Sequence, residues 1–347
     1  MKRLLLLLAA VSIAAVITLA LLSAKINSFM ATELTIPDDG IEFEIPAGSS
    51  FASVSSNLIS SGVIEGDRWL RLYVRWHDIG GAIHAGDYLI EPGSTPLSVV
   101  TQFTDGAVRL YSFTLVEGWN HREVLAALQA NEAVADSMTD EDWPGLLESL
   151  RTDGSEVNHP EGLFLPETYR FARNTTDRAV LKLAYDQMQV VLAEEWTARD
   201  ENAPVKNAYE ALILASIVEK ETARIDERPK IAGVFARRLA KRMRLQTDPT
   251  VIYGIGPAFD GNLTRKHLRS DTPYNTYTRH GLPPTPIAMP GRAAINAALH
   301  PEAGSELYFV ATGLSDGSHK FSATKAEHDA AVAEYLIRLR QNRRTGH

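Results

Sequence analysis

The chain contains no cysteine. That absence excludes structural disulfides, a thiol nucleophile, cysteine-ligated zinc and a lipid-modified N-terminal cysteine. The ten histidines show no HExxH or comparable spacing, so neither a metal site nor a cofactor is expected. No Gly-x-Ser-x-Gly elbow, P-loop or dinucleotide fingerprint occurs. Long low-complexity runs and tandem repeats are also missing. There is only a faint echo between Ile45-Pro-Ala-Gly-Ser49 and Val116-Glu-Gly-Trp-Asn120, each closing a strand and opening a helix. Positive charge is in short supply: 35 Lys and Arg stand against 43 Asp and Glu, a net charge of -8. That balance argues against nucleic acid as the main partner.

What is present begins with an apolar run. Lys2 and Arg3 precede an uncharged stretch from Leu4 to Leu22. It is nearly long enough to span a bilayer as a helix and longer than the apolar core of a usual cleaved signal. Leu22-Ser23-Ala24 is a poor cleavage site, so residues 1–26 are expected to be a cytoplasmic tip and an uncleaved transmembrane anchor. Positive charge at the extreme N-terminus favours leaving that end in the cytoplasm. The remainder then lies outside, where ATP and NAD are scarce and cell-wall polymer is abundant.

Residues 27–40 read as a linker. Ile41-Glu-Phe43-Glu-Ile45 alternates as a strand. A helix follows through Phe51, Val54 and Leu58 to Gly62, and a second from Asp67 through Trp76, closed by Gly80-Gly81. Residues 85–90 return as a strand, and a helix covers Thr95–Thr104. A strand over Arg109–Val116 leads into a helix over His121–Ala130. The acidic segment Asn131–Ser155 reads as irregular, an interdomain boundary. Helices are predicted at Asp177–Arg199, Ala208–Thr222 and Pro229–Met243, the last with proline in its first turn. This divides the chain into a small domain at 41–105, a connecting region at 106–155 and a larger domain at 156–342. The fold class is α+β.

The most informative stretch is Leu214-Ala-Ser-Ile-Val-Glu219-Lys-Glu-Thr222. A single carboxylate, Glu219, is carried by an apolar helical run into nearly dry surroundings. An acid held there resists ionising, and its pKa rises toward the range useful for donating a proton. Ala215, Ser216, Thr222 and Ala223, all one turn away, are small and would leave space for a bulky substrate. The plain alternative is an apolar face ending in a solvated Glu-Lys-Glu patch. Glu221 points away from Glu219, because residues two apart on a helix face roughly opposite sides. Asp248 is the other possible partner carboxylate, although Asp before Pro is also a common turn starter.

Beyond Glu219 the loops are dense in Tyr, Asn, Thr, Gly and Pro: Gln246-Thr-Asp248-Pro-Thr-Val-Ile-Tyr253, then Tyr274-Asn275-Thr-Tyr277, then Gly281-Leu-Pro-Pro284. Such residues suit sugars, with aromatic faces on ring carbons and amides or hydroxyls on sugar hydroxyls. Equally, they are the residues of ordinary turns. The basic run Arg237-Arg-Leu-Ala-Lys-Arg-Met-Arg244 reads as a solvated helix face or a contact for anionic polymer.

Five ordered segments carry a resemblance. They are His159-Pro-Glu-Gly-Leu-Phe-Leu-Pro-Glu-Thr-Tyr169, Ala215–Thr222, Arg244–Tyr253, Tyr274–Tyr277 and Gly281–Pro284. With the N-terminal anchor, they make the chain similar to the YceG-like endolytic murein transglycosylases (MltG), over essentially its whole length. One departure is Thr285, where that family often has glycine. The resemblance implies a single-pass protein of the cell inner membrane with its catalytic part on the periplasmic side. It implies a LysM-like module over 41–105 and a mixed α+β catalytic domain after it. It places the catalytic glutamate at Glu219, with Gln246, Asp248, Tyr253, Asn275 and Tyr277 lining a glycan groove. The implied reaction is lytic cleavage between N-acetylmuramic acid and N-acetylglucosamine, leaving 1,6-anhydro ends and terminating nascent strands. Implied partners are peptidoglycan strands, the membrane and peptidoglycan synthases. A wall-binding adaptor without catalysis, and a glycan hydrolase using Asp248 to place water, are the alternatives.

Overall fold

The computed structural model describes residues 2–151 and 158–345, so the boundary expected at 155/156 lies outside the described residues. Internal contacts separate two units: Met1–Tyr111 with Arg170–Asn174, and Ser112–Tyr169 with Thr175–His347.

The first unit starts with α1 (Lys2–Met30), whose apolar run is exposed along its length. The helix does not stop where the sequence loses its apolar character. Lys25, Asn27 and Ser28 interrupt the hydropathy but not the helix, and Ile26 and Met30 are buried in the core of the unit. The linker therefore begins only after Met30. The strand–helix–helix–strand order follows, as β1 (Ile41–Ile45), α2 (Phe51–Ser60), α3 (Arg68–His77) and β2 (Gly86–Ile90). The two strands pair antiparallel with Phe43 opposite Tyr88, which puts both rings on the buried face. Ser50 caps α2, its hydroxyl accepting from the Ser53 N–H at 3.2 Å, and Gly62 closes it with φ 76°. α3 ends earlier than Gly80-Gly81, at Asp78 in the left-handed region. α4 (Pro96–Asp105) completes the core, stacking Phe103 on Phe43 at 5.5 Å.

The chain leaves this unit within β3 (Leu110–Thr114). From Ser112 the stretch read as a connector belongs to the second unit, with α5 (His121–Gln129), the short β4 (Val134–Ala135) and α6 (Trp143–Leu150). α6 corrects the irregular reading of 131–155. Trp143, Leu146, Leu147 and Leu150 have helical spacing and are buried, but Pro144, Gly145 and acidic flanks mask the signal. Proline in the first turn costs no hydrogen bond.

After β5 (Thr168–Ala172) and β6 (Thr175–Thr176) come α7 (Asp177–Ala198), α8 (Ala208–Glu221) and α9 (Arg228–Ala240). α8 is the centre of this unit. Asn207 caps it, and every residue from Ala211 to Glu219 is buried, so it is surrounded on all sides rather than amphipathic. α9 carries the basic run, yet Arg237 and Arg238 are spent on backbone carbonyls of Glu302, Glu306, Leu307 and Leu245. Those two residues tie α9 to neighbouring loops. α10 (Asp248–Ile255), α11 (Arg265–Arg269) and α12 (Arg292–Leu299) follow, and α12 packs along α8. A hairpin of β7 (Tyr308–Ala311) and β8 (His319–Ser322) and the helix α13 (Lys325–Thr345) finish the chain.

Candidate active site

Glu219 stands in the last turn of α8 and is 9 % exposed. Its Oε1 accepts from the Arg228 guanidinium at 2.5 Å, and its Oε2 accepts from the Gly291 N–H at 3.0 Å. The same Arg228 nitrogen donates to Glu117 at 3.1 Å. Arg228 is itself buried, whereas the Glu117 side chain is about half exposed. Burial pushes the Glu219 carboxyl up to about 7; the Gly291 N–H and the Arg228 charge oppose the rise, and Glu117 adds to it through its charge and a hydrogen bond. An acid half-protonated near neutrality can both donate and accept a proton.

Local backbone structure brings Glu117 there. Gly118, at φ 80°, turns the chain after β3. The Gly118 N–H donates to the Met289 carbonyl at 2.9 Å, and the Met289 N–H donates back to Trp119 at 2.7 Å. This two-bond pairing sets Glu117 beside Gly291, with the loop fixed to α8 by the Ile287 N–H donating to the Ser216 hydroxyl at 3.0 Å. Ser216 and Ala215 are fully buried. Ser216 therefore receives this loop and not a substrate, whereas Ala223 is exposed. A methyl group on Gly291 would collide with the Glu117 carboxylate. Gly291→Ala should displace Glu117 and lower activity as Glu117→Gln does, while the thermal midpoint moves little; pH–rate profiles of the two variants test the match.

Lys220 and Glu221 face two different clefts. Lys220, its ammonium donating to the Gly118 carbonyl at 3.0 Å, lines one of about 670 Å³ with Asn120, Tyr253, Phe259 and Ile287. Glu221 lines another of about 390 Å³ with Gln246, Asp248, Tyr277, Arg238 and His328. The five expected groove residues are thus divided. Gln246, Asp248 and Tyr277 share the Glu221 cleft, where the Tyr277 hydroxyl donates to Asp248 at 2.6 Å. Burial raises Glu221 to about 7, opposed by the hydrogen bond from Thr247. Tyr253 lines the Lys220 cleft, with its hydroxyl donating to the buried Glu161 at 2.9 Å. Glu161 also takes the His121 ring at 2.7 Å, so the His159–Tyr169 motif supplies an internal support. Asn275 departs from expectation. It is 1 % exposed, and its amide donates to the carbonyls of His267, Leu268 and Ser270 while accepting from Tyr277 N–H. Both its amide N–H donors are taken by the loop, and its burial keeps the side chain from a sugar. Thr285 bonds the Tyr274 hydroxyl at 2.9 Å.

Sequence reasoning missed Glu117 and Arg228. A charged residue in a glycine turn at a strand end was the available signal for Glu117; Arg228, beside the proline that opens α9, offered none.

Residues 43–334 match the profile of the YceG-like family. The chain belongs to the YceG-like family. It is 32 % identical over 311 residues to the endolytic murein transglycosylase of Bacillus subtilis (strain 168), covering 85 % of each chain. It is 27 % identical over 322 residues to that of Streptococcus pneumoniae serotype 2 (strain D39), covering 84 % of this chain but 58 % of the pneumococcal one. A crystal structure of a YceG-like protein from Listeria monocytogenes superposes with a TM-score of 0.56 at 30 % identity, over 85 % of this chain and 99 % of that one. The YceG-like match includes Glu117, Glu219, Arg228 and Gly291.

Proposed function

We propose that this chain is a membrane-anchored endolytic transglycosylase of peptidoglycan, with Glu219 as its catalytic acid and base. The observation that carries the reading is a buried glutamate poised at about 7 between a cation, an N–H donor and a second carboxylate, in a family whose relatives are named for murein cleavage. Protonated Glu219 gives its proton to the glycosidic oxygen between N-acetylmuramic acid and N-acetylglucosamine. That bond breaks, and positive charge grows on the muramic C1. The C6 hydroxyl of the same sugar closes on C1, and its proton returns to Glu219. No water is consumed, and the internal hydroxyl is already held near the reacting carbon. Glu117, half exposed beside Glu219, offsets the developing positive charge. The two clefts flanking the end of α8 hold the strand on either side of the scissile bond.

The hydrolase alternative gains one observation, the second carboxylate at Glu117. Its oxygen and that of Glu219 lie within 3.1 and 2.5 Å of one Arg228 nitrogen. That is tighter than the roughly 6.5–9.5 Å which inverting hydrolases keep between carboxyl groups, so the Glu117–Glu219 pair would hydrolyse only through a covalent intermediate. Mass spectrometry of products from glycan strands separates the two. Anhydromuramic ends, one water lighter than reducing ends, are expected; predominantly reducing ends would support the hydrolase.

α1 serves as an uncleaved single-pass anchor in the cell membrane, with both units on the periplasmic side. Its length and composition support the span. The β1–α2–α3–β2 module acts as a LysM-like contact for glycan, and peptidoglycan synthases are the partners such an enzyme would accompany when it ends nascent strands.

A further inference from the structure

Helix α3 has a face that the enzyme reading leaves unused. Its inner side, Leu70 and Val74, is buried in the core that also holds Ile26 and Met30 of α1. Its outer side shows Arg68, Arg71 and Arg75, with Trp76 52 % exposed. Arg71 pairs with Asp67 at 3.3 Å, and Arg68 lies over the Trp69 ring at 5.0 Å. Arg68 and Arg75 have no carboxylate partner among the described residues. Asp67 and Asp78 flank the helix at its two ends.

The position of α3 along α1 gives this face its meaning. At about 1.5 Å per residue, Leu4–Leu22 spans about 28 Å, close to the hydrocarbon thickness of a bilayer. Leu22, the last residue of that run, already packs against the core of the unit. No slack separates the bilayer edge from the fold, since α1 continues as helix to Met30 and packs on α3. Where α3 meets α1, it therefore lies within about 12 Å of the hydrocarbon edge, at the level of the headgroups. Tryptophan and arginine on one face of a helix at that depth match an interface of apolar chains below and phosphates above.

We propose that α3 is an interfacial helix that rests on the membrane spanned by α1, with Trp76 at the boundary of the acyl chains and Arg68 and Arg75 on the phosphates of anionic phospholipid. The inference rests on the reading of α1 as an anchor. It gives the first unit two contacts with the bilayer, so that the anchor cannot rotate freely about its axis.

The absence of cysteine makes the test clean. Single nitroxide labels are attached at Ile13→Cys or Trp76→Cys in the full chain reconstituted in vesicles, and collision with oxygen is compared with collision with a water-soluble nickel complex. In phosphatidylcholine containing phosphatidylglycerol, the label at 13 should be open to oxygen and closed to nickel. The label at 76 should be shielded from nickel too, at shallower depth. Each basic side chain at an anionic surface is worth about fivefold in binding. The added R68E/R75E pair, which removes two such charges and adds repulsion, should therefore lower the docked-to-undocked ratio at position 76 by at least about 25-fold. A label at 76 fully open to nickel, while that at 13 is closed, overturns the proposal and leaves the anchor standing. A label at 13 open to nickel removes the anchor and the proposal with it. Shielding at 76 that survives R68E/R75E unchanged overturns the phosphate contact.

Discussion

Glu219→Gln should abolish strand cleavage while leaving the protein folded, with a stability that falls less than that of wild type as pH rises through neutrality. The swap keeps the shape of the side chain, and the Gly291 N–H can still donate to the amide oxygen. What is lost is the exchangeable proton, a contribution of roughly 100- to 10,000-fold in rate. The change in pH dependence follows from the direction of the Glu219 shift, separately from the constant cost of leaving Arg228 without this carboxylate. Its carboxyl sits at about 7 in the fold against an ordinary value of 4.5. The folded state thus holds its proton over a range where the unfolded chain has released it. Stability from this group is full below about 4.5 and is lost as pH rises toward 7. The gap corresponds to about 3 kcal/mol of favourable folding energy that wild type forfeits at high pH. Glutamine carries no such dependence. Chemical denaturation at pH 5 and pH 8 should therefore show the variant gaining on wild type by about 2–3 kcal/mol between the two. Wild-type cleavage by a folded Glu219→Gln chain would remove the assignment. A stability difference independent of pH would instead mean that the site is not dry.

Glu219 was legible in the sequence because its signal is local. The apolar run that predicts α8 needed no partner to be recognised, but it left Glu219 open to a solvated reading, and the structure decides for burial. The groups that tune it are not local. Arg228 is 9 residues away, Gly291 is 72, and Glu117 is 111 from the arginine it shares. No periodicity links such positions; Glu117 and Gly291 meet because the Gly118–Trp119 turn pairs with Met289, and Arg228 arrives from α9, packed on α8. Asn275 shows the reverse failure. Amide and hydroxyl side chains that bind sugars also close turns, and here three loop carbonyls took the amide first. The helices predicted up to Met243 are close to those observed, but α10 (Asp248–Ile255), whose residues read as loop, and the later α11, α12 and α13 were not predicted. Nor was α6, because proline and glycine in its first turn look like a break until the buried Trp143 face is seen.

Arg228→Met and Glu117→Gln should move the pH–rate profile in opposite directions. Arg228 favours the charged form of Glu219, and Glu117 disfavours it. Without the arginine, the carboxyl is held further up and stays protonated at neutral pH, so the basic limb moves to higher pH. Without the Glu117 charge, the carboxyl ionises earlier and the basic limb moves to lower pH. The arginine variant should lose on the order of 100-fold at neutral pH, the scale of general acid–base help, because Glu219, a weaker acid without the arginine, no longer gives its proton readily to the glycosidic oxygen. Its stability follows the same logic. Removing one partner of a buried ion pair costs about 3–5 kcal/mol when the other charge must stay buried. Below pH 7 Glu219 escapes that cost by protonation, so the loss should appear only on the alkaline side. Glu117→Gln should cost less activity, since its side chain is half exposed and its charge partly screened. Rates measured from pH 5 to pH 9, with unfolding followed over the same range, decide the matter. Two profiles scaled down without displacement would mean that Arg228 and Glu117 only hold the loop in place, and that Glu219 is tuned by burial alone.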